Sequence, residues 1–200
     1  MPNPEFFTRL GLLIIKDFFD NEMCATLRLE TTRGTVEPAE VVRGTSTIDG
    51  QIRRTKRSNV SSSALDFVNK QLRDLRKQAE LHFHKSLMNH QEPQFLIYEK
   101  GDFYRQHRDA YGGTGVPEYL QARRISIVVF LNSQSDEPTL DTFGGGSLIL
   151  YGLIDKPGSQ RVGFPLAGQE GTLVAFPAET VHEVEPVTHG CRYSIVSWFY

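Results

Sequence analysis

The stretch YEKGDFYRQHRDAY, residues 98–111, sets His107 and Asp109 at i and i+2, after a glycine and two aromatics. In an extended chain that spacing turns both side chains to one face. An imidazole beside a carboxylate makes poor core and a good pair of metal ligands. The stretch is therefore read as a strand, FYRQHRD, whose inner face looks into the space between two sheets. The competing reading is two polar residues that merely alternate, and H-x-D alone does not remove it.

Working outward, the chain after residue 92 is a series of short runs rich in β-branched and aromatic residues. QFLIY, ISIVVFLN, GSLILYG, GTLVAFP, VHEVEPV and RYSIVSWFY are separated by Gly, Pro, Asp and Asn, which predicts strands. TFGGGS (residues 142–147) reads as a turn entering a strand; it lacks the lysine and the spacing of a phosphate loop. Upstream, LLIIKDFF reads as a buried strand leading into a turn, with Asp20 or Asn21 capping a short helix to about residue 29. Leu65, Val68, Leu72, Leu75, Ala79 and Phe83 recur at threes and fours. That period predicts a long amphipathic helix, begun by a capping-box variant of Ser63 and Asp66 and ending at residues 84–87. Between the helices, residues 31–60 are polar and hold Gly34, Gly44, Gly50 and the basic cluster RRTKR. They read as a long loop or flexible hairpin, the cluster as a solvated loop. The sum is a mainly β fold with supporting helices (α+β): a double-stranded β-helix, or jelly roll, with N-terminal helices buttressing the major sheet.

The bulk properties fit one domain over residues 1–200. Hydrophobic residues at 39% and charged residues at 23% give a globular balance, not a disordered one. A formal charge of −2 provides no general attraction to nucleic acid or membrane. Two cysteines, Cys24 and Cys191, form no disulfide framework and suit a reducing compartment. LGLLII (residues 10–15) is too short to span a bilayer and has no small-residue cleavage site. The expectation is a cytoplasmic protein that does not act at a membrane. Its oligomeric state is left open.

Two ligands hold a metal poorly, so a third belongs on another strand. His82 and His84 fall at a helix end, His90 in a polar turn and His189 beside a glycine. His182 opens HEVEPV at the start of a predicted strand. Two histidines and a carboxylate with open positions are the donor set of non-haem Fe(II) oxygenases. Arg192 then lies within the apolar run CRYSIVSWFY, where a guanidinium is costly to bury unpaired and no acidic partner is obvious. A ligand carboxylate held by the guanidinium fork resolves this, and a dicarboxylate beside iron suggests 2-oxoglutarate.

These residues carry a resemblance. The chain resembles the 2-oxoglutarate and Fe(II)-dependent dioxygenases of the prolyl 4-hydroxylase type, over most of its length. LGLLIIKDFFDNEMCATL is similar to the family's opening strand and helix, and YEKGDFYRQHRD to its tyrosine, glycine, aromatic and H-x-D block. RRISIVVFLN, GGGSLILY and GTLVAFPAETVHEVEPVTHGCRYSIVSWF follow in the family's order. The resemblance implies that His107, Asp109 and His182 ligate iron and that Arg192 binds the far carboxylate of 2-oxoglutarate. Tyr98 matches a tyrosine that hydrogen-bonds the cosubstrate. Val196 and Trp198 share a strand face with Arg192 and would line the same pocket, core packing being the other reading of Trp198. Tyr104 and Arg123 match positions near the mouth, where the prime substrate sits. One departure is Phe130 before Leu131 and Asn132, where the hypoxia-sensing branch has a tyrosine that shares the cosubstrate carboxylate.

The implied reaction is hydroxylation of an aliphatic C–H with Fe(II), 2-oxoglutarate and O2, with ascorbate keeping the iron reduced. Asp109 favours hydroxylation over halogenation, since related halogenases lack that carboxylate. A protein or peptide substrate, through a prolyl residue, is favoured because residues 40–60 stand where the family carries a hairpin that closes over a peptide. The alternatives are a hydroxylase of a free amino acid or other small molecule, and a non-catalytic jelly-roll binding module. Intact ligand and arginine positions argue against the latter. Nucleic-acid demethylation is disfavoured because no second arginine follows Arg192.

Overall fold

A computed structural model of the chain describes residues 4–43, 45–154, 158 and 161–200. It opens with a short helix α1 (Pro4–Arg9), absent from the sequence reading, then strand β1 (Leu13–Ile15) and helix α2 (Asn21–Arg33). Asp20 caps α2: its backbone is extended and its carboxylate accepts the Met23 N–H at 2.8 Å. The helix runs past the expected end near residue 29 and stops at Gly34, where a Cβ would lie 2.3 Å from the Asn59 carbonyl oxygen. Only glycine fits so close an approach.

The polar segment that follows is not a loop but a run of short strands, of which residues 41–43 and 45–47 pair antiparallel as the hairpin reading expected. It forms β2 (Thr35–Pro38), β3 (Val41–Arg43), β4 (Thr45–Thr47), β5 (Arg53–Arg54) and β6 (Lys56–Asn59). Every residue of β2 is exposed, so water receives its side chains and no apolar alternation marks the strand. The basic cluster is likewise strand, split between β5 and β6 at the buried Thr55. Gly44 lies outside the described residues.

Helix α3 (Ser62–Phe83) is the long amphipathic one. Its cap is Ser61, whose hydroxyl accepts the Ala64 N–H at 3.3 Å, so the expected pair of Ser63 and Asp66 sits within the helix instead. His84 adopts a left-handed conformation (φ 51°) and its N–H closes the last turn on the Glu80 carbonyl. Ala64, Val68, Leu72, Leu75 and Ala79 form the buried stripe.

The rest is strand, apart from one helical turn. The order is β7 (Gln94–Tyr98), β8 (Phe103–His107), α4 (Glu118–Gln121), β9 (Ile125–Phe130), β10 (Ser133–Gln134), β11 (Thr142–Gly145), β12 (Leu148–Tyr151), β13 (Gly163–Leu166), β14 (Leu173–Pro177), β15 (His182–Val184), β16 (Val187–His189) and β17 (Arg192–Phe199). The expected turn at TFGGGS is thus partly strand β11.

Two antiparallel sheets face each other as a jelly roll. The major sheet has seven strands in the order β1-β14-β9-β17-β7-β6-β2; the minor sheet has five, β13-β12-β15-β8-β5. The outer face of the major sheet, with Ile125, Ile127, Val129, Ile195 and Phe199, packs on Cys24 and Leu27 of α2 and the stripe of α3. The helices therefore buttress that sheet as expected. Its inner face, with Val128, Phe130, Val174 and Phe176, meets Leu148, Leu150 and Leu166 of the minor sheet. A fully buried side chain of this size contributes roughly 1.5–3 kcal/mol. That apolar floor stops short of one end of the sandwich, where the polar residues gather.

Candidate metal centre

His107 ends β8 and His182 begins β15, and the two are direct cross-strand partners. Each ring is aimed by a main-chain carbonyl. His107 Nδ1–H donates to Arg105 O at 2.8 Å and His182 Nδ1–H to Thr180 O at 2.9 Å. A carbonyl only accepts, so both Nε2 atoms keep their lone pairs and turn them inward.

Asp109 lies just past the end of β8, not within a strand as the i, i+2 reading supposed. The N–H groups of Asp109 and Ala110 both donate to Ala178 O at 3.0 Å. This double anchor turns the chain and brings the carboxylate back to the histidines. Asp109 Oδ1 is 3.6 Å from His107 Nε2, and Oδ2 is 3.4 Å from His182 Nε2. One donor atom from each residue lies within 4.8 Å of the others, the only such cluster of three among the described residues.

The electrostatics suit a cation. Burial raises the Asp109 carboxyl, but His182, His107 and Arg123 together outweigh it and hold the group well below the usual carboxylate range. Burial, helped by His107 and opposed by Asp109, lowers His182 to about 4. An ionised carboxylate and a neutral imidazole are the protonation states that bind metal.

Arg192 is 1% exposed and sits at the base of the same space. Its Nη1 donates to Ser194 Oγ at 2.8 Å, and the Tyr98 and Phe130 rings lie 5.0 Å from its Cζ. Its Nε is buried with no partner, and no carboxylate is within ion-pair distance among the described residues. Burial lowers its pKa, with Tyr98 opposing. Gly146 (φ +60°) closes over the arginine stem, where a Cβ would lie 3.2 Å from Arg192 Cδ. An orphaned buried cation fits an anionic ligand, and the two-histidine, one-carboxylate set fits a divalent first-row metal.

The nine residues that the sequence assigns to the site (Tyr98, Tyr104, His107, Asp109, Arg123, His182, Arg192, Val196 and Trp198) all line one cavity of about 610 Å3, a size that suits a small-molecule site. Tyr98, Val196 and Trp198 stand on the same wall as Arg192. Tyr104 stacks on His107 with centroids 3.5 Å apart, because a register shift between β8 and β15 turns both rings inward. Burial pushes the Tyr104 hydroxyl up to about 12. Arg53 of β5 covers its other face at 4.8 Å. Arg123 is spent largely on the wall itself: it lies 3.5 Å over Trp198, donates twice to Gln91 Oε1, and reaches the Asp109 carbonyl at 3.3 Å. Ser126 and Ser194 were missed by the sequence reading. Their only signal was a small polar residue at an inward position of an apolar run.

A sequence profile decides the family: that of the 2OG-Fe(II) oxygenase superfamily matches residues 93–200. The chain belongs to that superfamily. Membership makes this oxygenase an enzyme and implies Fe(II), 2-oxoglutarate and O2. Among its relatives, a PKHD-type hydroxylase of Janthinobacterium sp. (strain Marseille) is 29% identical over 182 residues, covering 88% of the oxygenase and 75% of that protein. A PKHD-type hydroxylase of Synechococcus sp. (strain JA-2-3B'a(2-13)) is 34% identical over 101 residues, 50% of the oxygenase and 39% of that protein. Of solved structures, a Pseudomonas putida prolyl-4-hydroxylase superposes with a TM-score of 0.71 at 23% identity, covering 94% of the oxygenase and 91% of that chain. A Trichoplax adhaerens prolyl hydroxylase, in complex with a hypoxia inducible factor oxygen degradation domain peptide fragment, gives 0.73 at 18% identity, covering 95% and 83%. At these identities the likeness establishes the shared jelly-roll fold. No helix among the described residues is long and apolar enough to cross a membrane.

Proposed function

We propose that the oxygenase is a single-domain prolyl hydroxylase-like enzyme that hydroxylates a prolyl residue in a protein or peptide. His107, Asp109 and His182 hold Fe(II). Arg192 holds the far carboxylate of 2-oxoglutarate, Tyr98 hydrogen-bonds the cosubstrate, Val196 and Trp198 line its chamber, and Tyr104 and Arg123 face the prime substrate. The observation that carries this reading is the orphaned Arg192 guanidinium, sealed at the base of the cavity that also holds the two histidines and the aspartate.

The bound iron, 2-oxoglutarate and O2 supply the oxidising power for C–H hydroxylation. The chain supplies position, charge and dryness. The carbonyls of Arg105 and Thr180 select the Nδ1–H tautomer of each neutral imidazole, which makes Nε2 the lone-pair nitrogen that faces the metal position. The guanidinium fork fixes the cosubstrate's orientation from its far end. With Phe130 in place of a tyrosine, Ser194 is the polar neighbour of that fork. Phe176, edge-on to His182 at 4.9 Å, and Trp198 keep water from the inner wall.

The polypeptide substrate is supported by residues 35–60. β6 and β2 extend the major sheet while β5 pairs with β8 of the minor sheet. The segment thus spans the mouth, and Glu37, Glu40, Ile48 and Arg53 line the cavity from it. A small molecule would not need so broad a rim. The unpaired cysteines suit a cytoplasmic site, and ascorbate suits the role of reductant.

The test is succinate formation measured beside substrate mass. Proline-containing peptides should gain one oxygen in step with succinate, and free amino acids should not. Coupled oxidation of a free amino acid alone would replace the peptide substrate while leaving the oxygenase intact.

A further inference from the structure

Ser126 occupies an odd place. It lies in the run ISIVVF, whose other members are apolar, and it is 1% exposed. Its cross-strand partners are Phe176 on β14 and Trp198 on β17, both beside the metal centre. A hydroxyl buried there is costly unless it is hydrogen-bonded. Its described bond is to Asp109 Oδ2, at 2.6 Å. The carboxylate is ionised and can only accept, so Ser126 donates. A bond this short between a hydroxyl and an anion belongs to the strong, charge-assisted class.

We propose that Ser126 is the positioning residue of the metal centre: it holds Asp109 Oδ2 so that the carboxylate meets the metal in one fixed rotation. The inference rests on the reading of Asp109 as a ligand. The main chain of Asp109 is already pinned, by its own N–H to Ala178 O and by Arg123 Nη1 to its carbonyl. What remains free is rotation of the carboxylate about its own axis, and Ser126 removes it. Oδ1, on the side of His107, is left as the oxygen with no neutral donor bound to it. A carboxylate that spins can present both oxygens and occupy two positions on a metal. A carboxylate held at one oxygen occupies one, leaving open positions for the keto acid and O2. Small partners that orient a ligand in this way are typically worth about 10–100-fold in metal affinity.

The experiment is anaerobic titration of the apo protein with Mn(II), without cosubstrate, on the wild type and on Ser126→Ala, Ser126→Thr, Ser126→Val and Asp109→Ala. Threonine and valine have the same shape and differ only in the hydroxyl, so they separate hydrogen bonding from packing. Apo melting temperatures confirm that each variant is folded. Ser126→Ala and Ser126→Val should bind Mn(II) about 10–100-fold more weakly than wild type, with Ser126→Thr within a few-fold of it. Alanine binding as tightly as wild type, or valine matching threonine, overturns the role of Ser126. If Asp109→Ala also binds like wild type, the metal centre itself is misassigned. If Asp109→Ala loses the metal while Ser126→Ala does not, only the positioning role fails.

Discussion

Strand β17 has two faces that do different work. Ile195 and Phe199 point out to α2 and α3 and are sealed among aliphatic side chains. Arg192, Ser194, Val196 and Trp198 point the other way, and all but Ser194 line the cavity. One face is mainly apolar and stabilises the fold by burial, its two hydroxyls, of Tyr193 and Ser197, being bonded to Thr32 and to the Gln91 carbonyl. The other buries a guanidinium, a serine and an indole whose polar atoms need partners. A strand that alternates every residue can thus carry stability and ligand binding independently, provided that neither face is asked to do both.

The sharpest way to break that division is His182→Ala. On the cavity side it should abolish Mn(II) binding in calorimetry, while the apo melting temperature stays near wild type. A large fall in apo stability would mean that the imidazole serves the fold first. Leu72→Ala is the mirror experiment on the helix side. It should lower stability by about 2–5 kcal/mol in urea unfolding, with unchanged affinity for metal and 2-oxoglutarate in the protein that remains folded. Arg192→Met tests the cavity face more finely. Losing the charge-assisted contacts should weaken 2-oxoglutarate binding by about 1.5–3 kcal/mol, roughly 10–150-fold. Removing an unpaired buried charge should leave apo stability unchanged or higher, so at one fixed cosubstrate concentration the rise in melting temperature shrinks through weaker binding alone. A loss like that of Leu72→Ala would make Arg192 a structural residue. The smallest effect belongs to Trp198→Phe. The cation–π contact with Arg123 weakens but persists, so thermal unfolding should register less than about 1 kcal/mol.

The same contrast explains what the sequence disclosed. Apolar alternation and the three-four period of α3 are produced by dry surfaces, so the strands after residue 92 and the helix were legible. The cluster of His107, Asp109 and His182 and the buried Arg192 were legible because their chemistry is out of place in apolar surroundings. β2 and β5 escaped notice for the opposite reason: their side chains meet water or the cavity rim, and burial imposes no period on them. Helix α1, with six residues, is too short to show one. Asp109 was placed on the right face for an incomplete reason, since Ala178 O and not strand alternation turns it inward. Ser126 was invisible because one serine in a strand has no partner until the fold supplies Asp109.

The edges of the two sheets have a consequence for self-association. The major sheet ends in β2, with Glu37 and Pro38, and the minor sheet ends in β5, made of Arg53 and Arg54, and in β13, which carries Pro165. An edge strand offers unpaired main-chain groups to any passing chain, and charges and prolines are what blunt it. The basic cluster therefore has a second physical effect beside lining the cavity. Arg53 and Arg54 put that charge on the β5 edge itself, where it opposes the addition of a further strand.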